Sequence, residues 1–230
     1  MPRIPLRLAA LAACGAATIA LLSAPPASAA SPGMRSSAAG DTVSEPLDTL
    51  IADLPVDDTA HSGYERDLFK TWVDADGDGC DTREEVLKAE AVEAPTQGSS
   101  CTLSGGEWYS WYDEATWTDK SDVDIDHVVP LGEVWTSGGY DWSSSRREAY
   151  ANDLGDDRTL EAVTDNVNES KGDRDPAVWM PPAASATCKY IDYWVAVKAR
   201  WGLTADDDEI AALQDYAADC SNTTITVTLA

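Results

Sequence analysis

Asp126 and His127 stand side by side in the stretch DVDIDHVVPL (122–131), and His127 is one of only two histidines in 230 residues. An imidazole titrates near neutrality and can take a proton from water. A carboxylate beside it can hold a hard divalent cation through oxygen. Farther along, NVNESKGD (166–173) supplies an amide, Asn168, and a cation, Lys171. Together these groups suit hydrolysis of a phosphodiester. Water attacks phosphorus in line, a neutral imidazole removes its proton, and a divalent ion offsets charge on the phosphate and the departing oxygen. Each residue also has a plainer reading: a strand histidine bonded to its neighbour, a helix-capping asparagine, a solvated lysine.

The elements that must position these groups come next. DVDIDHVV alternates polar and apolar residues, as a half-buried strand does. Neighbours on a strand point to opposite faces, so Asp126 and His127 need a twist or bulge to serve one site. RTLEAV (158–163) reads as a second strand, and NVNESKGD as one helical turn or a helix start closed by Gly172. Upstream, Tyr64, Leu68, Phe69 and Trp72 recur at helical spacing and predict a short amphipathic helix. A further helix is expected near 84–90. The aromatic-rich residues 101–119 suit a hairpin, and SSSRREAYANDL suits a capped helix. CKYIDYWVAVKARWGL is a long amphipathic helix stopped by Gly202. TADDDEIAALQDYAADC is another, with Thr204 expected as its N-cap. The tail TTITVTL either pairs as a strand or stays loose.

Strand, histidine, strand, then Asn and Lys on a helix is the order of a ββα metal finger. On DIDHVVPL and NVNESKGD the chain resembles the HNH (His-Me finger) endonucleases. On YERDLFKTW, DADGDGCDTREEVL, NESKGDRDPAVWMPP and CKYIDYWVAVKARWGL it resembles, more closely, a secreted bacterial HNH endonuclease family, over roughly 63–220. The resemblance implies His127 as general base, Asp126 and Asn168 as ligands of one divalent ion (Mg²⁺ foremost, with Mn²⁺ or Ca²⁺ as alternatives), and Lys171 close by, steadying the turn or a phosphate. It implies 5′-phosphate products. Arg83 matches a family position, either as a phosphate contact or in a salt bridge. Thr159 stands where the family's middle asparagine is often found, a departure that touches a largely structural role. The implied fold is α+β: a ββα-metal core embedded in a mainly helical single domain with two disulfides.

A second oxygen-rich motif is DADGDGCDTREE. Asp74, Asp76, Asp78 and Glu85 fit the spacing of a calcium-binding loop, D-x-D-x-D-G-x₅-E. Against that stand Asp81, where an aliphatic residue is usual, and Cys80. The alternative is an acidic turn that places Cys80 and Arg83.

The address follows from the N-terminus. Arg3 and Arg7, an uncharged apolar run from Leu8 to Leu22 and the small-x-small Ala27-Ser28-Ala29 mark residues 1–29 as a secretory signal peptide. No later segment is apolar enough to cross a bilayer, so no membrane contact is expected after cleavage. Residues 30–62, rich in Ser, Ala, Pro and Gly, read as a flexible linker with a short helix at EPLDTLIADLP, leaving 63–230 as the nuclease domain. Of five cysteines, Cys14 leaves with the signal. Four in an oxidising compartment imply two disulfides, and of three pairings the nearest-neighbour one, Cys80–Cys101 with Cys188–Cys220, is preferred.

The formal net charge of −25 becomes −27 once Arg3 and Arg7 are lost. Such a surface argues against tight, non-specific DNA binding through a basic face. It leaves a phosphodiester substrate open, because bound cations reverse the field locally. The expectation is a secreted, metal-dependent endonuclease acting on DNA with low sequence specificity. The alternatives are an RNA-directed nuclease and a non-catalytic extracellular calcium-binding protein on the same scaffold. Oligomeric state is not legible.

Overall fold

The computed structural model describes residues 38–230. The signal-peptide reading of 1–29 lies outside the described residues. In chain order the elements are β1 (Thr42–Pro46), α1 (Leu47–Asp53), α2 (Thr82–Ala89), β2 (Thr96–Gln97), β3 (Leu103–Ser104), β4 (Trp108–Ser110), β5 (Ala115–Trp117), β6 (Val123–His127), α3 (Leu131–Thr136), α4 (Ser144–Ala151), β7 (Leu160–Thr164), α5 (Asp165–Lys171), α6 (Thr187–Trp201), α7 (Asp207–Ala218) and β8 (Thr224–Thr228). The strands form four two-stranded antiparallel sheets: β1–β8, β2–β3, β4–β5 and β6–β7. This is an α+β arrangement, as expected.

The β6–β7 pair is central. Its register runs from Val123 opposite Thr164 to His127 opposite Leu160, with no bulge at Asp126 or His127. Of the twist or bulge called for by the sequence, no bulge is present, yet Asp126 and His127 at the strand end both line one cavity. Two clusters sandwich the pair. Val123, Ile125, Leu160 and Ala162 pack with Val86, Leu87, Trp108 and the Cys80–Cys101 disulfide. Val163 packs into the larger core built on α6, where Tyr190, Ile191, Trp194 and Val195 are fully buried. Both disulfides join the expected cysteines, Cys80–Cys101 and Cys188–Cys220.

Residues 42–62 are not a linker. The β1 strand pairs with β8, near the other end of the chain, and Leu47, Leu50, Ile51 and Leu54 are buried in the main core. The short helix expected at EPLDTLIADLP is α1, and its Leu-x-x-Leu-Ile-x-x-Leu stripe packs against α6 and α7. The boundary at 63 is corrected accordingly; residues 30–37 lie outside the described residues.

The helix expected over 64–72 is reduced to a single 3₁₀ turn, Arg66–Leu68. Its backbone groups are satisfied from α4 instead. Arg147 donates to the Leu68 carbonyl (3.1 Å), and Asn152 donates to that of Lys70 (2.7 Å) while accepting from the Val73 amide (2.9 Å). Elsewhere the end signals read correctly. Ser143 caps α4 and Gly202 closes α6 in the left-handed region (φ +64°), while α2 carries a reciprocal capping box of Asp81 and Glu84 that the sequence reading did not use. For α7 the cap is Asp206, which accepts from the Glu209 amide, rather than Thr204. None of the described helices is long and apolar enough to cross a membrane.

Candidate active site

The end of β6 and the C-terminal half of α5 meet over a cavity of about 320 Å³ whose lining includes Arg66, Asp124, Asp126, His127, Asn168 and Asp173. Thr164 passes directly from β7 into Asp165 of α5, so strand and helix are rigidly coupled. Asp126, His127, Asn168 and Lys171 are thus drawn together from sites up to 45 positions apart. They are not equivalent in what they touch.

Asp126 is 4% exposed, and both its oxygens are engaged. Lys171 Nζ lies 2.8 and 2.6 Å from Oδ1 and Oδ2, and the Tyr112 hydroxyl donates to Oδ2 at 2.6 Å. Lys171 also donates to the His127 carbonyl at 2.8 Å. Burial raises the Asp126 carboxyl and lowers the Lys171 ammonium, and each is pulled back by the other's charge. Burial and the Asp126 charge push the Tyr112 hydroxyl far up, so it stays protonated and donates. Lys171 therefore holds Asp126 and the end of β6 and is not a solvated charge.

His127 looks the other way. Its Nε2 is 3.0 Å from the Ala151 carbonyl at the end of α4, and its ring lies 6.0 Å from those of Tyr150 and Trp72. A carbonyl only accepts, so Nε2 carries the hydrogen and Nδ1 keeps the free lone pair. Burial lowers the imidazole to about 4, with Arg66 and Lys171 pushing the same way and the Ala151 bond opposing. At neutral pH the ring is an uncharged base. Thr159 is buried, donates to Asp153 at 3.0 Å and accepts from the Val128 amide at 3.1 Å, a structural duty at the family's middle position.

Asn168 donates to Asp124 Oδ2 at 3.2 Å. Asp124 was passed over in the sequence, although D-x-D on a strand puts both carboxylates on one face, here toward α5. Arg66, an exposed residue on the 3₁₀ turn, was missed as well; only the tertiary fold carries it to the cavity. Arg83 lies elsewhere. Its Nη2 donates to the carbonyls of Lys120 (3.3 Å) and Val123 (2.7 Å), so it braces the start of β6, and it enters none of the ion pairs among the described residues.

In the acidic loop, oxygens of Asp74, Asp76 and Asp78 lie within 4.8 Å of one another, and Asp78, Cys80 and Glu85 form a second such group. Cys80 is in a disulfide, and Glu85 pairs with Lys88 at 2.8 Å.

The family described as GmrSD restriction endonucleases, C-terminal domain, matches residues 82–215, which include His127, Asn168 and Lys171. A protein of Arthroderma benhamiae bearing the name uncharacterized secreted protein is 45% identical over 158 residues, 69% of this chain and 76% of its own length. That relative is fungal, so the likeness extends beyond the bacterial proteins expected from the motifs. No solved structure matches.

Proposed function

Because the chain belongs to the family of GmrSD restriction endonucleases, C-terminal domain, we propose that it is a metal-dependent endonuclease with its active site at β6 and α5. The observation that carries this reading is the fixed tautomer of His127, with Nε2 committed to the Ala151 carbonyl, on a cavity that Asp124, Asp126 and Asn168 share. The arrangement of β6, β7 and α5 supports a ββα-metal core.

A divalent ion fits the donor set. Asp124 and Asn168 offer hard oxygen, Asp126 Oδ1, whose one partner is Lys171, keeps a lone pair for an ion, and Asp173 adds a further carboxylate around the same cavity. Asp126 and Asn168 would hold the ion, with Asp124 as a further oxygen donor. When bound, Mg²⁺ or a like ion neutralises charge on the phosphate and on the departing oxygen. The chain's own groups do the rest. His127 Nδ1 takes the proton of the attacking water. Lys171 keeps Asp126 ionised and fixes the His127 backbone. Arg66 meets the phosphate with a guanidinium.

DNA is the proposed substrate, and low sequence specificity is proposed because a net charge of −25 disfavours a basic face with which to read a duplex. RNA is the rival substrate. The signal reading, two disulfides and the likeness to a protein named as secreted support placement outside the cell. The clustering of Asp74, Asp76 and Asp78 favours one second reading, a structural Ca²⁺ on this loop, alone or beside catalysis.

The test is plasmid nicking by the mature protein with EDTA, Mg²⁺, Mn²⁺ and Ca²⁺ in parallel, together with His127→Ala and an RNA substrate. Metal-dependent nicking that is lost in the variant is expected. Cutting that survives EDTA or the loss of His127 overturns the assignment. Cutting of RNA alone moves the substrate. Folded protein that binds Ca²⁺ and cuts nothing moves the function to the calcium reading.

A further inference from the structure

On another face, α2, β4, the loop after α4, β7 and α6 enclose a second cavity of about 570 Å³. That is within the size range of small-molecule sites. Its walls are Val86, Ala89 and Leu160, with Trp111 alongside. Val92, Tyr109 and Leu154 also line it while remaining 60%, 46% and 51% exposed. Those three are half of the six large apolar side chains exposed among the described residues. Their gathering at one cavity is what a ligand with an apolar body would use.

The polar groups are unbalanced. Six acidic residues and one lysine, Lys189, line the space. Glu85, Asp153 and Asp156 are paired outward, with Lys88 (2.8 Å), Arg200 (2.7 Å) and Arg158 (2.6 Å). Glu90, Asp157 and Glu161 are left to Lys189 alone, which is 3.8 Å from Glu161 and lies over the Trp111 ring at 4.1 Å. Glu161 is 6% exposed; one oxygen accepts from the Trp111 indole at 2.5 Å, and the other has no hydrogen-bond partner among the described residues. Glu90 uses one oxygen to accept from the Ala162 amide at 2.8 Å. Burial first, then the Glu161 charge, pushes the Glu90 carboxyl up to about 8. At neutral pH it therefore keeps its proton.

We infer that this cavity is a binding site for a small organic cation, a primary ammonium on an alkyl or aryl body, seated between Glu90 and Glu161 with its apolar part against Tyr109, Val92 and Leu154. The ammonium supplies the charge that Lys189 does not, and the aromatic walls add cation–π attraction. The site takes no part in the nuclease reading and stands or falls independently of it.

The probe is 2-phenylethylammonium chloride, titrated calorimetrically into the mature protein, with 2-phenylethanol and phenylacetate as neutral and anionic counterparts. The ammonium is expected to bind at least about tenfold tighter than the alcohol, and phenylacetate not at all. Glu90→Gln and Glu161→Gln, which imitate the protonated acids, should each weaken the ammonium about tenfold. Tyr109→Ala, at an exposed position that leaves the fold intact, should weaken ammonium and alcohol alike. Equal affinity for ammonium and alcohol, no heat at millimolar ammonium, or unchanged affinity in the folded Gln variants would each overturn the proposal. Nicking activity, measured alongside, reports on the other site separately.

Discussion

Lys171 Nζ bridges both oxygens of Asp126, at 2.8 and 2.6 Å, and reaches the His127 carbonyl at 2.8 Å, with the lysine wholly shut from solvent. One ammonium thus joins the C-terminal end of α5 to the last two residues of β6. A buried ion pair adds little over an apolar pair of the same shape, but removing one member leaves a stranded charge. Lys171→Met should therefore cost about 3–5 kcal/mol, measured by urea unfolding, and Lys171→Met with Asp126→Asn should recover much of that loss. A single-variant cost near zero would show that the pair does not hold the strand end.

Arg66 tests the phosphate contact. It is exposed, so Arg66→Ala should leave the melting temperature in place. It should raise KM for duplex DNA, and the logarithmic salt dependence of binding should flatten by about one. An unchanged KM and salt slope in an active protein would remove Arg66 from the site.

Arg83 should behave in the opposite way. Its guanidinium serves two backbone carbonyls at the start of β6, so Arg83→Ala should lower stability by about 1–3 kcal/mol while KM at permissive temperature stays as it is. A raised KM with unchanged stability would restore it as a phosphate contact.

Glu90 sets a pH dependence. Its folded carboxyl lies near 8 against an ordinary 4.5, so the folded state holds a proton that the unfolded chain releases between those values. The contribution of Glu90 to stability is present below about 4.5 and is lost as pH rises through about 8. Glu90→Gln keeps the neutral shape at every pH. The variant and the native protein should melt together at pH 5, and by pH 9 the variant should melt about 4 °C higher or more. A constant difference across that range would mean that Glu90 does not titrate on its own.

The Cys188–Cys220 bridge ties the start of α6 to the segment after α7 across 32 residues. Cys188→Ser with Cys220→Ser should cost about 4 kcal/mol, with the loss read from chemical unfolding under oxidising conditions. A smaller loss would place the constraint in the α6–α7 packing rather than in the covalent link.

Much of this molecule was decided locally and could be read from the chain. Period-2 alternation located β6, a helix was expected near α2, Gly202 ended α6, and of three possible cysteine pairings the preferred nearest-neighbour one is observed. His127 stood out as one of two histidines beside an aspartate, and Asn168 and Lys171 through the family pattern that NVNESKGD resembles. Three things needed the tertiary structure. Whether residues 42–62 were linker or core depended on β8 and α6, almost the whole chain away. The segment at 64–72 gave up its helix because α4 side chains, rather than its own amides, satisfied its carbonyls. The division of labour at the site also lay beyond local pattern: Asp126 bound to Lys171 and Tyr112, Asn168 to Asp124, and His127 to the Ala151 carbonyl. Periodicity and capping are properties of neighbours in sequence, whereas the partner of a buried charge is whichever group the folded chain brings within about 3 Å of it.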